Sequence, residues 1–167
     1  NRLDCDFILV GQIFRQMAME RKVDLETFGR LAEEDETIDK ELDERMVALA
    51  KANENIVIEG RLAGLILKAK KVPVFAAFIE ASEQVRADRI ARREGKSADS
   101  VLKDIRSRER SEKKRYLAYY GVDPSDRAVY DLWVDSSSTP ADKIAELIVE
   151  KARKAEAEHA REIQEAD

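Results

Sequence analysis

Four short apolar runs, separated by much longer amphipathic stretches, constrain the fold of this chain more than any other feature. The runs are Phe7–Val10 (FILV), Ile56–Ile58 (IVI), Val74–Ile79 (VFAAFI) and Leu132–Val134 (LWV). Brief and nearly continuous runs of this kind are typical of strands that are buried on both faces of a parallel sheet. Because the stretches between them have helical periodicity, the sequence predicts an α/β fold with right-handed crossovers.

The helical patterns cover most of the remaining chain. They are predicted over residues 13–22, 24–34, 38–52, 82–94 and 97–120. Ser97 is a candidate N-cap, and a last helix should open with Thr139 as its cap and Pro140 in its first turn. Beyond about Ile148 the chain is charged and rich in alanine, so we expect a solvated helical tail that contains the one histidine, His159.

Length and charge exclude several classes of protein. A chain of 167 residues predicts one domain with a real core, and its formal net charge of −5 argues against general affinity for nucleic acid. A single cysteine, Cys5, excludes an internal disulfide framework and fits a reducing cytoplasm. No run is long and apolar enough to cross a bilayer, and no cluster of metal ligands is visible, so we expect neither a membrane partner nor a dedicated metal site.

Charged residues follow two of the predicted strands. Gly11 and Arg15 come after the first run, and Glu59, Gly60 and Arg61 come after the second. Ligands of open α/β sheets bind outside the carboxyl ends of the strands, and a guanidinium group matches phosphate oxygens two at a time. Arg61 could equally pair with a nearby acid while Gly60 only ends the strand, and the motif alone does not decide between the two interpretations.

The helix predicted over residues 97–120 carries a narrow polar stripe. At about 100° per residue, Arg108, Glu112 and Arg115 fall within roughly 60° of one another, and Tyr119 lies one turn further on. A charged helix with i,i+4 pairs is often simply solvated, so the stripe by itself also fits an exposed helix face.

A second group of arginines lies on the preceding helix, where Arg86, Arg89 and Arg93 cluster on one side. Taken alone this segment is also typical of a solvated helix. Together with the arginines at the strand ends it favours a mobile helical flap that closes on phosphates, since phosphoryl transfer depends on positioning and charge neutralisation.

The segments GQIFRQMA, LAEEDETIDKELDER, VIEGRLAG, RADRIARRE to EKKRYLAYYG, and YDLWVDSS occur in this order along the chain. Over roughly residues 3–150 the sequence thereby resembles the archaeal cytidylate kinases, which are P-loop proteins of the nucleoside monophosphate kinase family. The resemblance implies a three-layer α/β fold with a parallel sheet, a helical substrate insert and an arginine-rich lid. It also implies a cytoplasmic monomer that converts ATP and CMP or dCMP, with Mg²⁺, into ADP and CDP or dCDP.

The resemblance implies an acceptor site made of five residues. Arg15 and Arg61 would hold the phosphate of the nucleoside monophosphate, and Arg108 and Arg115 would contact the same phosphate. Glu112 would accept a hydrogen bond from the cytosine amino group, so that the stripe on the helix contacts both the phosphate and the base of the nucleotide.

The resemblance also implies the donor site and the moving parts. Arg89 and Arg93 would be the catalytic lid arginines that close over the ATP phosphates and the migrating phosphoryl group, and Glu59 would help orient Mg²⁺ through water. Residues 24–52 would form the substrate insert and residues 93–115 the lid. The kinase domain would then cover residues 1–150 and the charged tail residues 151–167.

Two departures from the family pattern affect these expectations. Gln12 stands where an aspartate is usual, and G-x-x-x-x-G-K-[ST], the loop that cradles phosphates, does not occur in the 167 residues. If these residues were the whole protein, we would expect no productive ATP binding and a sheet that lacks its middle strand. If the gene extends upstream, we expect it to encode a short apolar strand, that loop and the start of a helix.

Two alternatives stay open. One is a kinase for another acceptor, such as AMP, UMP, dTMP or shikimate. The other is a relative that lacks the P-loop and is catalytically inactive, and that binds a nucleotide or a protein partner through its helical arms.

Overall fold

The computed structural model describes residues 5–53, 55–121, 124 and 126–166. In chain order its elements are β1 (Asp6–Leu9), α1 (Val10–Glu20), α2 (Leu25–Glu34), α3 (Glu36–Ala52), β2 (Ile56–Glu59), α4 (Ala63–Ala69), β3 (Ala77–Glu80), α5 (Glu83–Glu94), α6 (Ala98–Tyr120), a 3₁₀ turn (Arg127–Val129), β4 (Leu132–Asp135) and α7 (Ala141–Ala166).

The four predicted strands form two parallel pairs. In the first pair Asp6 lies opposite Ile56, and in the second Ala77 lies opposite Leu132. Helices connect the strands of each pair, as parallel strands require, and the predicted α/β class is confirmed. The boundaries differ by a few residues: Val10 already belongs to α1, and residues 74–76 precede β3.

The chain divides into two compact units, and the first contains the described residues up to 74 and those between 109 and 126. Its core forms where the apolar faces of α1, α2 and α3 meet. Met17, Phe28 and Met46 are fully buried there, and the ring of Phe14 packs against that of Phe28 with centroids 4.6 Å apart. This packing fixes α3, which carries the acidic residues described below.

Two aspartates determine where α2 and α3 begin. The carboxylate of Asp24 accepts a hydrogen bond from the Thr27 amide at 2.8 Å, and that of Asp35 accepts one from the Thr37 amide at 2.9 Å. Each side chain thus satisfies an amide that the first helical turn would otherwise leave unpaired. The two helices are therefore separated at Asp35, and α3 begins two residues before the position expected from the sequence.

The second unit contains residues 75–108 and the described residues from 127 onward. Within it, α5 packs against the first half of α6 through a small apolar cluster of Ala87, Ala91, Val101 and Ile105. The hydroxyl oxygen of Ser97 accepts a hydrogen bond from the Ser100 amide at 3.3 Å, which confirms the predicted N-cap of α6.

The last helix, α7, begins one residue later than expected. The carbonyl of Pro140 accepts hydrogen bonds from the amides of Lys143 and Ile144, so the helix starts after the proline. The predicted charged tail is helical to Ala166, and the His159 side chain is 62% exposed there. None of the helices in the described ranges is both long and apolar enough to cross a membrane.

Gly60, at the turn after β2, lies where only a glycine fits. A Cβ atom at this position would come within 2.6 Å of Val10 Cγ2 and 2.9 Å of Val10 Cβ. Since a branched side chain at the start of α1 has little freedom to move, we expect Gly60→Ala to lower the free energy of unfolding by roughly 1–3 kcal/mol. Urea denaturation of the wild type and the variant measures this difference.

A matched control is available in α2. Gly29 lies in the middle of the helix, and a Cβ atom there would meet no atom within 4 Å. Gly29→Ala should raise the free energy of unfolding by roughly 0.5–1 kcal/mol, because alanine has less freedom to lose on folding. Equal effects of the two substitutions would show that the contact with Val10 is not tight.

Candidate active site

Two of the predicted ligand-binding residues contact each other in the first unit. The guanidinium of Arg61, just after β2, donates a hydrogen bond to the carboxylate of Glu112 in the second half of α6. The Glu112 side chain is only 9% exposed, whereas that of Arg61 is 41% exposed. Of the two interpretations that the sequence allowed for Arg61, the structure shows pairing with an acid, and that acid is a predicted site residue.

Arg115 lies one turn further along α6 and faces α3. Its Nε atom is 3.4 Å from Oδ2 of Asp39, and the two side chains are 11% and 6% exposed. Burial raises the pKa of Asp39 more than the neighbouring guanidinium of Arg115 lowers it. A cation and an anion are therefore held together in a largely dry environment next to the Arg61–Glu112 pair on the same helix.

A second carboxylate of α3 also faces α6. Oη of Tyr120 donates a hydrogen bond to Oδ2 of Asp43 at 2.6 Å. Burial raises the pKa of Asp43 to about 6 against the lowering effect of the Tyr120 hydroxyl, and the nearby charge of Asp39 contributes to the rise. Burial and the Asp43 carboxylate raise the pKa of Tyr120 as well, so that the tyrosine stays protonated and donates.

Arg15 and Glu59 lie near the carboxyl ends of β1 and β2. Glu59 pairs with Leu9 in the strand register and is exposed, and Nη1 of Arg15 donates to the Gly11 carbonyl at 3.4 Å from the next turn of α1. Arg15 is also exposed. Within the described part of the chain, no three histidine, cysteine or acidic residues come close enough to hold a metal ion.

The remaining predicted residues belong to the second unit. Arg89 in α5 donates to the hydroxyl and to the carbonyl of Ser136, which follows β4. Arg93 is 73% exposed and donates to its neighbour Glu94 at 3.1 Å, and Arg108 is exposed on α6. The proposed roles of all eight residues stay predictions, but their positions within each unit are now known.

The sequence analysis did not select Asp39 and Asp43. Both lie in the segment IDKELDERM, where Ile38 and Met46 are buried. The spacing of the two acids was a usable indication in the sequence. Two acids four residues apart beside buried apolar residues of a helix point to a polar partner on the element packed against that helix. That partner was not evident, since α6 is more than fifty residues away along the chain.

The pKa of Asp43 predicts how stability depends on pH. An acid whose pKa is higher in the folded than in the unfolded protein stabilises the fold fully below its unfolded pKa, and this contribution is lost as the pH rises through about 6. Asp43→Asn cannot ionise and keeps an acceptor for Tyr120. It should therefore raise the free energy of unfolding at pH 8 by roughly 1–2 kcal/mol, after allowance for solvent screening, with little change at pH 4.

Chemical denaturation of both proteins across this pH range measures the effect. The exposed Glu34 in α2 offers a control, since Glu34→Gln should change stability little and equally at both pH values. A constant difference between wild type and Asp43→Asn from pH 4 to pH 8 would mean that the Asp43 carboxylate is not desolvated.

Comparison with solved structures supports the fold. The chain matches the crystal structure of an uncharacterized protein from Eubacterium ventriosum with a TM-score of 0.60, and the match covers 89% of this chain and 98% of that one. The two sequences are 15% identical, so this likeness concerns the fold alone.

Comparison with known sequences identifies the family. The chain is 41% identical over 141 residues to the cytidylate kinase of Pyrococcus furiosus, which covers 84% of this chain and 71% of that protein. It is 45% identical over 130 residues to the cytidylate kinase of Pyrococcus abyssi (78% and 70%) and 40% identical over 142 residues to that of Methanocaldococcus jannaschii (84% and 79%). The family described as cytidylate kinase-like matches residues 1–138. The predicted resemblance is confirmed, and the chain belongs to the cytidylate kinase-like family.

Proposed function

We propose that the protein is a cytidylate kinase that transfers the γ-phosphoryl group of ATP to CMP or dCMP. A phosphate oxygen of the acceptor attacks the γ-phosphorus, the bond from that phosphorus to the β,γ-bridging oxygen breaks, and ADP leaves with CDP or dCDP as the other product. The names of the archaeal relatives support this reaction. The observation that supports this reaction from the structure is the Arg61–Glu112 pair, with Arg115 one turn away on α6.

The pair has the chemistry that the acceptor needs. A cytosine base offers an exocyclic amino group as a donor, and a nucleoside monophosphate offers anionic oxygens. CMP can therefore replace the contact between Arg61 and Glu112 with one contact to each residue, the guanidinium on phosphate and the carboxylate on the amino group. Neither charge is left without a partner by this exchange, which keeps the free-energy cost of the exchange low.

Arg115 and Arg108 would complete the phosphate contacts from α6, and Arg15 would approach from α1. Guanidinium groups that surround the acceptor phosphate neutralise its charge and allow an anionic nucleophile to approach an anionic γ-phosphate. We assign these three residues to substrate binding on the strength of their charge and of the family pattern.

Arg89 and Arg93 would act on the donor side, in the second unit. Arg93 is exposed and can turn toward phosphates, whereas Arg89 would have to exchange its hydrogen bonds to Ser136 for them. Magnesium, when bound, would neutralise the β- and γ-phosphates. The exposed carboxylate of Glu59 at the end of β2 fits an outer contact to a hydrated Mg²⁺, which is commonly held by one or two carboxylates and substrate phosphates.

The test is an ADP-release assay of the full-length gene product with ATP, Mg²⁺ and each of CMP, dCMP, UMP, AMP and dTMP. We expect the highest kcat/KM with CMP or dCMP. A higher value for AMP, UMP or dTMP would overturn the assignment to cytidine. Calorimetric binding of CMP without any release of ADP would instead show a nucleotide-binding protein that lacks kinase activity.

A further inference from the structure

A row of polar contacts fastens the second half of α6 to α2 within the first unit. The hydroxyl of Ser111 donates to the Glu33 carboxylate, and Oη of Tyr119 lies 2.8 Å from the carbonyl of Glu33 and 3.1 Å from that of Ala32. Ser111 and Tyr119 are eight residues apart on one face of α6. Arg115 lies between them on the same face of α6. The contacts on either side of it therefore fix its position along α6, where it faces α3.

Asp39 is the anion that faces Arg115 in this position. The Oδ2 and Nε atoms are 3.4 Å apart, and among the described residues neither atom has a hydrogen-bond partner of good geometry. The pair is thus held by charge and burial without an ideal hydrogen bond. Since the contact with Asp39 is made at Nε, the two terminal nitrogens of the guanidinium can still turn toward another group.

Stability does not account for a carboxylate at this position. Burial raises the pKa of Asp39 despite its proximity to Arg115, so the charged form is less favourable in the folded protein than in water. Asp43, one turn away on α3, adds a second acid to the same helix face. Buried ion pairs are often no more stabilising than apolar side chains of the same size, so stability alone gives no reason for a carboxylate at position 39.

We infer that Asp39 is a positioning residue, which orients the Arg115 guanidinium for the phosphate of the bound nucleoside monophosphate. The inference rests on the proposed function, because it needs a phosphate as the ligand of Arg115. Asp39 keeps the buried guanidinium from turning away along α6. It also connects α3, which lies in the predicted substrate insert, to Arg115, the residue that would contact the phosphate.

The experiment compares Asp39→Asn, Arg115→Ala and the double variant of the full-length protein. Asparagine has the size of aspartate but no charge, so it removes the electrostatic hold on Arg115 and leaves the packing unchanged. Calorimetry gives the Kd of CMP, competition against CMP gives the affinity for cytidine, which has no phosphate, and thermal unfolding gives Tm. The exposed Glu44 on the same helix provides the control variant Glu44→Gln.

We expect Asp39→Asn to raise the Kd of CMP about tenfold, on the scale of one charge-assisted contact, and to leave the affinity for cytidine unchanged. Two opposing effects act on its Tm at pH 8, because a desolvated carboxylate is removed while the guanidinium of Arg115 loses its counter-charge, so we expect only a small change in Tm. The double variant should bind CMP no more weakly than Arg115→Ala, because Asp39 acts through Arg115. Glu44→Gln should bind like the wild type.

Three outcomes would overturn the inference. An unchanged Kd of CMP in Asp39→Asn would remove the positioning role and leave the kinase proposal intact. Equal losses for CMP and cytidine, together with a lower Tm, would show that Asp39 only supports the fold. A folded wild-type protein that binds neither CMP nor any of the other four monophosphates would overturn the proposed function, and the inference with it.

Discussion

Replacing Arg61 with alanine is expected to lower kcat/KM for CMP by roughly 10- to 100-fold, the scale of a bidentate charge-assisted contact of about 1.5–3 kcal/mol. We expect KM to rise and kcat to fall, because a guanidinium on the acceptor phosphate acts both in binding and in the transition state. Arg108→Ala should behave in the same way. Initial rates of ADP release over a range of CMP concentrations, at saturating ATP and Mg²⁺, give both parameters.

The Arg61 variant also has a structural consequence. It removes a hydrogen bond to Glu112, whose side chain is 9% exposed, so thermal unfolding must accompany the kinetics. Arg110→Ala serves as the control, since Arg110 is an exposed arginine of the same helix with no proposed role. Kinetics that stay unchanged in both Arg61→Ala and Arg108→Ala would show that neither arginine binds the acceptor phosphate.

The class of fold could be predicted because its signal is local. A strand buried on both faces is a short apolar run, and a helix beside it has a period of 3.6 residues, so the order of elements follows from the pattern. The boundaries could not be predicted in the same way. Val10 is apolar in either state, so its residue type does not show that the chain has already turned into α1, where it packs against Gly60.

The candidate site was predicted in part, for a similar reason. Arg61 and Glu112 stand out in the sequence by residue type and spacing, but their contact joins residues 51 positions apart and depends on the packing of α6. Asp39 and Asp43 become candidate site residues only through the same packing, because their partners are on α6. Asp39 is buried and Asp43 half-buried opposite Arg115 and Tyr120, and no pattern within α3 specifies the opposite helix.

Glu112 is expected to govern the choice of base more than the rate. A carboxylate only accepts hydrogen bonds, so it suits the amino group of cytosine and repels the carbonyl oxygen that uracil presents at the same place. Glu112→Gln replaces it with an amide that can donate as well as accept. The preference for CMP over UMP should then shrink by about tenfold or more, because a buried polar side chain that meets the wrong base leaves groups unpaired.

The ratio of kcat/KM for CMP to that for UMP measures this preference directly and is insensitive to the amount of active protein. Asp104→Asn, at an exposed position of α6, should leave the ratio unchanged. Because the glutamine amide can donate to the carbonyl oxygen of uracil, a small gain in the activity toward UMP should accompany the loss toward CMP. If Glu112→Gln keeps the full preference for CMP, the base is recognised elsewhere. In that case Glu112 serves only to hold Arg61 in place.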